Sequence, residues 1–305
     1  MYSLSDLRQG LTSPESTLRE LNRLCHSRGR QYDHNPNGIN VFDEDWDNLV
    51  ILDACRYDYF AEQSTLPGHL EYRRSMGGNT REFVGANFRD RRLHDTVYVT
   101  ANSWYLRLRE DIGAELHKVI DLHMGDEDGE YHDDQFNIVP PEVLTSHAIR
   151  AAQEYPKKRL LVHYIQPHHP FLGPTGREYF NYPSSSLTEV IEKATDATVE
   201  DVRRAYRENL DIVLESVGEL VAELPGKTVV SADHGEMLGD RHAYLPFRDF
   251  GHHRGVYNDV LTKVPWQVVE TGSRKRIVPE PPREGLQEVN VEQLERRLED
   301  LGYKM

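Results

Sequence analysis

The sequence predicts a three-layer α/β sandwich, in which a mostly parallel central sheet lies between two layers of helices. Short apolar runs of strand length recur along the chain, segments with helical spacing lie between them, and the runs are apolar at nearly every position. Strands that alternate with helices pair in parallel, and continuous apolar runs are typical of strands covered on both faces. We expect such a sheet to bind its ligand beyond the carboxyl ends of the strands.

The apolar runs define the predicted strands in chain order, which are 48–53, 96–100, 159–165, 227–233 and 264–269. A first helix is predicted from Pro14 to about Cys25, because Ser13-Pro14-Glu15 places proline at the first helical position. A second covers 202–224, whose apolar residues recur at helical spacing until Pro225-Gly226 ends the helix.

We expect a single domain over residues 1–305, with a core at about 45–270 and an N-terminal helical segment. The chain shows no internal repeat and no low-complexity segment. An amphipathic C-terminal helix is predicted at 288–303 from the spacing of its apolar residues, which are Val289, Val291, Leu294, Leu298 and Leu301.

The chain is acidic, with 51 Asp and Glu against 36 Lys and Arg and a formal net charge of −15. This balance excludes a typical binder of nucleic-acid phosphates, which needs clustered basic residues. The basic residues are 28 Arg and only 8 Lys. A surface rich in acids and poor in lysine suits a salt-rich cytoplasm, so we hypothesise a halophilic origin; the alternative is an ordinary acidic mesophile protein.

Neither a secretory nor a membrane-spanning segment is apparent. The first residues contain no apolar run typical of a signal peptide, and no stretch approaches the 18 apolar residues of a membrane span. Cys25 and Cys55 are too few for a disulfide framework. We therefore expect a cytoplasmic protein, and nothing in the sequence specifies its oligomeric state.

Two of the predicted strands end in carboxylates. Asp53 ends the first, and Asp233 ends the fourth and is followed by His234. Charged groups at the end of a buried strand are costly unless they pair or bind a cation, and carboxylate and imidazole ligands suit a divalent metal. The alternative is that Asp233 caps a helix and His234 makes an ordinary hydrogen bond.

The segment Ser231-Ala-Asp-His-Gly-Glu-Met-Leu-Gly239 resembles the S-D-H-G-E-x-L-G signature of the sulfatase branch of the alkaline phosphatase superfamily. Other pieces of the family pattern occur in its order. The run 48–53 is similar to the first strand with its metal-binding acid, Pro167-His168-His169-Pro170-Phe171 to P-H-x-P-[FY], and Gly251-His252-His253 with Val264-Pro265 to the late G-H and V-P pair. The resemblance covers roughly 48–269.

The resemblance implies an alkaline-phosphatase-like fold and an enzyme that hydrolyses or transfers phosphate or sulfate esters with a metal. It implies that Asp53, Asp233 and His234 bind the metal and that His168 and His252 act on the substrate. Two-metal members carry an acid four residues before this histidine, where this chain has Tyr164. We therefore expect one divalent ion, which could be Mn, Mg, Ca or Zn.

The chain departs from sulfatases at the nucleophile. Neither cysteine stands in the C-x-P-S-R context of the formylglycine residue, and Ser75-Met-Gly-Gly-Asn-Thr80 occupies the expected place. This resembles members with a threonine nucleophile, in which Thr80 would also complete the metal shell. Alternatively, Thr80 merely caps a helix, and His163, His169 and His253 remain alternatives to the two substrate histidines.

The predicted function is thus a metal-dependent phosphodiester or phosphomonoester hydrolase or transferase with a Thr80 nucleophile. One alternative is a sulfate-ester hydrolase, and another is a catalytically silent protein that binds an anionic ligand. The expected partner is an anionic ester, either a small molecule or part of a glycan or lipid.

Overall fold

A seven-stranded sheet forms the centre of the computed structural model, which describes residues 14–29, 31–123, 133, 135–136, 138–182 and 186–282. Its strands are β1 (Asn48–Asp53), β2 (His69–Arg74), β3 (Arg92–Thr100), β4 (Glu115–Asp121), β5 (Arg159–Pro167), β6 (Gly226–Ala232) and β9 (Lys263–Thr271). A separate antiparallel pair consists of β7 (Met237–Arg241) and β8 (Arg248–Gly251).

The strand order of the large sheet is β2-β9-β6-β1-β5-β3-β4. The pairs from β6 through β4 are all parallel, whereas β9 runs antiparallel to both of its neighbours. The expectation of a mostly parallel sheet in an α/β fold is confirmed.

The helices cover both faces of this sheet. They are α1 (Pro14–His26), α2 (Tyr57–Gln63), α3 (Thr80–Phe88), α4 (Trp104–Ile112), α5 (Pro141–Glu154), α6 (Pro174–Tyr179), α7 (Leu187–Lys193), α8 (Val199–Glu223) and α9 (Asp259–Thr262). No helix in the described part of the chain is long and apolar enough to cross a membrane.

Strand β1 shows why its residues are apolar throughout. Val50 and Leu52 belong to the core cluster that contains residues of α5 and α8, whereas Leu49 and Ile51 belong to the cluster that contains residues of α3 and α4. Successive side chains of a strand point to opposite faces. Since both faces are covered, each position of the strand needs an apolar side chain, and the three-layer arrangement follows.

Helix α8 is the longest described helix and begins three residues earlier than predicted. Thr198 caps it in a reciprocal pair of hydrogen bonds with Asp201. At the other end the chain turns into β6 at Gly226, which has a φ of +92°. A Cβ atom there would lie 2.3 Å from Asp47 Oδ2, so that no other residue fits without displacing that carboxylate.

Strands β2, β4, β7 and β8 were not predicted from the sequence. The first two are the edges of the large sheet, and polar, partly exposed side chains interrupt both of them, so they lack the apolar run of a central strand. The predicted helix at 288–303 lies outside the described residues.

Candidate active site

The register of the central strands brings separate motifs to one end of the sheet. Leu52 of β1 is paired with Ala232 of β6, so that Asp53 and Asp233 follow at neighbouring positions. On the other side of β1, Asp53 is aligned with the last residue of β5, after which His168 follows. The sheet itself therefore places the predicted site residues together at the carboxyl ends of its strands.

Asp53, Asp233 and His234 form a buried group of possible metal ligands, each with an atom within 4.8 Å of the others. His234 Nε2 lies 3.4 Å from Asp53 Oδ1 and 3.3 Å from Asp233 Oδ2. Asp233 Oδ1 accepts hydrogen bonds from the N–H groups of Ala54 and His234. Asp233 Oδ2, in contrast, is buried and has no hydrogen-bond partner among the described residues. This oxygen suits a cation, because a buried acceptor without a donor is costly.

Burial and charge shift the pKa values within this group in opposite directions. Burial raises the pKa of Asp233, and the Asp53 carboxylate raises it further. Burial acts the same way on Asp53, but its interactions with His168 and His234 outweigh burial and lower the pKa. Burial alone would lower the pKa of His234, yet the two carboxylates raise it to about 10. Two buried carboxylates whose oxygens lie within 4.8 Å of each other need a positive partner.

Thr80 is the first residue of α3, and its hydroxyl lies beside the acidic group. Oγ1 is 3.4 Å from Asp53 Oδ1 and 3.2 Å from His234 Nε2. The cap of α3 is Asn79, whose side chain accepts a hydrogen bond from the N–H of Glu82 at 3.0 Å. The helix start predicted at Thr80 is therefore found, but the capping role falls to the preceding residue and leaves the threonine hydroxyl beside the carboxylates.

The glycine pair before Thr80 allows the loop to pass close to other backbone. A Cβ atom on Gly77 would lie 2.5 Å from the backbone N of Phe83, and one on Gly78 would lie 2.5 Å from the carbonyl oxygen of Val256. Real Cβ atoms do not approach backbone so closely. The glycines thus let α3 begin directly against the loop that carries the late histidines.

Ser75 is the other hydroxyl residue in the segment that leads to Thr80. Its side chain is buried, and its hydroxyl donates a hydrogen bond to the carbonyl oxygen of Asp233 and accepts one from the N–H of Gly77 at 3.0 Å. The first contact holds the loop to the end of β6, and the second lies within the loop. Ser75 therefore acts structurally in this arrangement.

A second group of titratable side chains consists of His168, Glu236 and His252. One possible ligand atom of each also lies within 4.8 Å of those of the other two. His252 Nδ1 lies 2.9 Å and 3.2 Å from the two carboxylate oxygens of Glu236. Burial raises the pKa of Glu236 to about 7, and burial together with the charge of His234 lowers the pKa of His252 to about 3. Burial also lowers the pKa of His168. Burial thus disfavours the protonated form of both imidazoles.

Two residues of the site were not singled out from the sequence. Asn102 follows β3 and donates a hydrogen bond from Nδ2 to Asp53 Oδ2 at 2.8 Å. Glu236 lies within the S-D-H-G-E motif but was given no role. A signal existed for both, since one lies two residues after a predicted strand and the other is an acid two residues from a predicted ligand.

The remaining candidate histidines lie around the site. His163 is buried behind Asp233, with Nδ1 2.9 Å from the hydroxyl of Tyr98 and Nε2 3.8 Å from Asp233 Oδ2. His253 Nε2 lies 3.2 Å from Asp249. His169 contacts His168 through its backbone carbonyl oxygen.

Arg56 lies next to the site and contacts its backbone. Its guanidinium is buried, forms ion pairs at 2.7 Å with Asp58 and Asp240, and donates a hydrogen bond to the carbonyl oxygen of Glu236. Because these acceptors engage its N–H donors, Arg56 holds the backbone of the S-D-H-G-E motif in place. It is not among the residues that line the cavity described next.

A cavity of about 320 Å³ opens over Thr80 and is the space available to a substrate. Asp53, Thr80, His168 and His252 all contribute to its wall. Asp233 and His234 lie beneath it, against Asp53. The structure therefore brings together the six residues predicted from the sequence as metal ligands or catalytic groups, around one polar cavity.

Comparison of the sequence with protein-family models and with curated proteins finds no match. Among solved structures, the chain is similar to the C-terminal periplasmic domain of phosphoethanolamine transferase EptC from Campylobacter jejuni, with 15% identity, a TM-score of 0.47 and coverage of 73% of this chain and 78% of that one. It is also similar to phosphonate monoester hydrolase SpPMH from Silicibacter pomeroyi, with 17% identity, a TM-score of 0.46 and coverage of 83% and 72%.

A third similar structure is BT1596, a 2-O GAG sulfatase, with 13% identity, a TM-score of 0.44 and coverage of 77% of this chain and 65% of that one. The function of this chain is inferred from its own residues.

Proposed function

We propose that this protein is a metal-dependent hydrolase or transferase of phosphate esters, with Thr80 as nucleophile. The observation that carries the proposal is the position of the Thr80 hydroxyl beside the buried group of Asp53, Asp233 and His234, in which Asp233 Oδ2 has no hydrogen-bond partner within the described part of the chain. An oxygen nucleophile next to a cation site is the arrangement that phosphoryl transfer needs.

The donor set fits one divalent ion, with Asp53, Asp233 and His234 as ligands and Thr80 completing the protein shell. Such an ion supplies positive charge that neutralises the anionic oxygens of an ester. Mn, Mg, Ca and Zn all accept mixed oxygen and nitrogen ligands, so that the metal is left open. The similar group at His168, Glu236 and His252 could hold a second ion, and we assign those residues to the substrate instead.

Each side chain of the site has a separate part in the proposed reaction. The Thr80 hydroxyl can donate its proton to Asp53, 3.4 Å away, as its oxygen attacks phosphorus. Asn102 holds the other oxygen of Asp53 and so fixes its orientation. His168 and His252 line the cavity, where their rings can bind ester oxygens, and Glu236 orients the His252 ring.

The positions of the two cysteines favour a phosphate ester over a sulfate ester as the substrate. The usual route of sulfate-ester cleavage needs an aldehyde hydrate made from cysteine, and Cys55 is a buried free thiol whose pKa is raised by burial. Cys25 lies at the end of α1. A sulfatase that uses an unmodified Thr80, and a silent binder of an anionic ligand, remain the alternatives.

The test uses Thr80→Ala, with Ser75→Ala as the matched hydroxyl control. We expect the wild type to cleave bis(p-nitrophenyl) phosphate or p-nitrophenyl phosphate faster than p-nitrophenyl sulfate. Thr80→Ala should lower kcat at least about 100-fold, the scale of losing a nucleophile or its activation. Ser75→Ala should retain turnover.

Different outcomes separate the alternatives. A dead Ser75→Ala beside an active Thr80→Ala would move the nucleophile to Ser75, and full activity in both would require attack by water. Faster cleavage of the sulfate ester would identify a sulfatase. A metal-loaded wild type that cleaves none of the esters but binds phosphate would be the silent binding protein.

A further inference from the structure

A second cavity of about 260 Å³ adjoins the cavity over Thr80, and Arg81 and Arg254 line both. We propose that the two cavities form one cleft, in which Arg81 and Arg254 bind a second anionic group of the substrate, beyond the ester that reacts at Thr80. This inference rests on the proposed function and adds a substrate class to it, namely phosphate esters that carry a further carboxylate or phosphate.

Arg81 is placed to bind such a group because it follows Thr80 directly and its side chain is exposed. Among the described residues, no side chain or backbone group forms a hydrogen bond or ion pair with its guanidinium. A guanidinium has five N–H donors in a planar fork that matches carboxylate and phosphate oxygens. These donors are available to a ligand at the junction of the two cavities.

Arg254 is available for a different reason. Its closest acidic neighbour is Glu82, whose Oε1 lies 3.9 Å from Arg254 Nε, beyond hydrogen-bond distance. The Glu82 carboxylate is instead engaged by the N–H groups of Gly78 and Gly255 at 2.9 and 2.8 Å and by the hydroxyl of Tyr257 at 3.3 Å. Because these donors satisfy Glu82, the half-exposed guanidinium of Arg254 is left facing the cleft.

The second cavity is suited to the body of a substrate that joins the two anions. Leu108 and Ile112 of α4 give it an apolar side, and Arg89 adds a third guanidinium to its wall. Three acids also line this cavity, namely Asp33, which lies 2.7 Å from His34 Nδ1, Asp111, and Glu82, which the donors named above engage. Arg81 and Arg254 line both cavities, and the positive charge at that junction is better matched by an anionic substrate group than by a neutral one.

The proposal is tested with two probes that cannot be hydrolysed, butylphosphonate and phosphonobutyrate, the second of which adds a carboxylate at the far end of the chain. Their affinities are measured by calorimetry on the metal-loaded wild-type protein. We expect phosphonobutyrate to bind about tenfold more tightly, the scale of one charge-assisted hydrogen-bond pair. Phosphonohexanoate checks a wider spacing of the charges.

Arg81→Gln and Arg254→Gln should each remove most of this advantage of the carboxylate probe. Arg92→Gln is the control, because Arg92 is an exposed arginine at the amino end of β3, away from the site. Equal binding of all the probes by the wild type, or an equal loss of affinity for both butyl probes in the arginine variants, would overturn the inference. Failure of butylphosphonate itself to bind would count against the proposed function, and so the two failures are distinguishable.

Discussion

The Asp233 carboxylate shows at the scale of one residue how the site is arranged for a cation. One oxygen accepts two backbone hydrogen bonds at the end of β6, and the other has no hydrogen-bond partner in the described structure. The Asp53 carboxylate nearby raises the pKa of Asp233 further than burial alone does. Such a carboxylate contributes little to stability by itself, so its place at a strand end is better explained by ligand binding.

We predict that Asp233→Asn abolishes metal binding and activity while leaving the fold largely intact. The amide has lost the charge and offers a single carbonyl oxygen, whereas the volume is unchanged. Metal content by elemental analysis should fall from about one ion per chain to nearly none, with the circular dichroism spectrum retained.

Glu236→Gln is the matched control, because it neutralises another buried acid of the same site. It should keep the stoichiometric metal. Two ions per wild-type chain, with one lost in Glu236→Gln, would assign a second metal to His168, Glu236 and His252. Full retention of metal by Asp233→Asn would refute the ligand assignment.

At the scale of secondary-structure elements, Glu82 of α3 joins the loop that precedes Thr80 to the loop that follows His252. Its two carboxylate oxygens accept hydrogen bonds from Gly78 on one side and from Gly255 and Tyr257 on the other. Burial raises the pKa of this carboxyl group. The relative position of Thr80 and His252 therefore depends on one side chain that touches neither.

We predict that Glu82→Gln lowers both stability and kcat. The amide group of glutamine would turn an N–H donor toward a backbone N–H, which leaves a buried donor unsatisfied at a cost of about 1–3 kcal/mol. Urea unfolding measures the stability, and turnover of a p-nitrophenyl ester measures the loss of kcat.

Glu208→Gln provides the comparison, because Glu208 of α8 likewise accepts hydrogen bonds from a backbone N–H and a hydroxyl, both of Thr175 in α6. It should lower stability with little effect on kcat. If Glu82→Gln kept wild-type kcat, or if both variants lowered kcat alike, the positioning role of Glu82 would be wrong.

At the scale of the whole molecule, the net charge of −15 makes the fold dependent on its ionic surroundings. Self-repulsion of like charges destabilises a compact state, and salt screens it over a Debye length of about 10 Å at 0.1 M ionic strength. The described surface also contains ion pairs such as Arg74–Asp259 and Arg91–Asp43, which salt weakens. The hypothesis of halophilic adaptation holds that the excess of acids outweighs those pairs.

We therefore predict that Tm rises substantially between dilute buffer and molar KCl. Differential scanning calorimetry measures the shift, and sorbitol at matched osmolality is the control, since it stabilises proteins without screening charge. A Tm that does not change with KCl, or that rises equally in sorbitol, would contradict the halophilic hypothesis and favour an ordinary acidic mesophile protein.

The sequence by itself determined the layers of the fold and most of the site. The strands with continuous apolar runs, β1 and β6 among them, are recognisable because burial on both faces leaves a local pattern. The S-D-H-G-E segment and the glycine pair before Thr80 are also recognisable from the local sequence. Each positions its candidate site residues through a turn that directly adjoins a strand or helix.

The tertiary structure alone decided what depends on contacts between distant segments. The edge strands β2 and β4 carry no continuous apolar run, so their pairing is visible only once the sheet has formed. Asn102 reaches Asp53, and Arg56 is turned away from the cavity, because side chains that lie far apart in the chain meet there. The two cavities that Arg81 and Arg254 line likewise exist only where α3 meets the loop after β8, since no local pattern encodes a space between two segments.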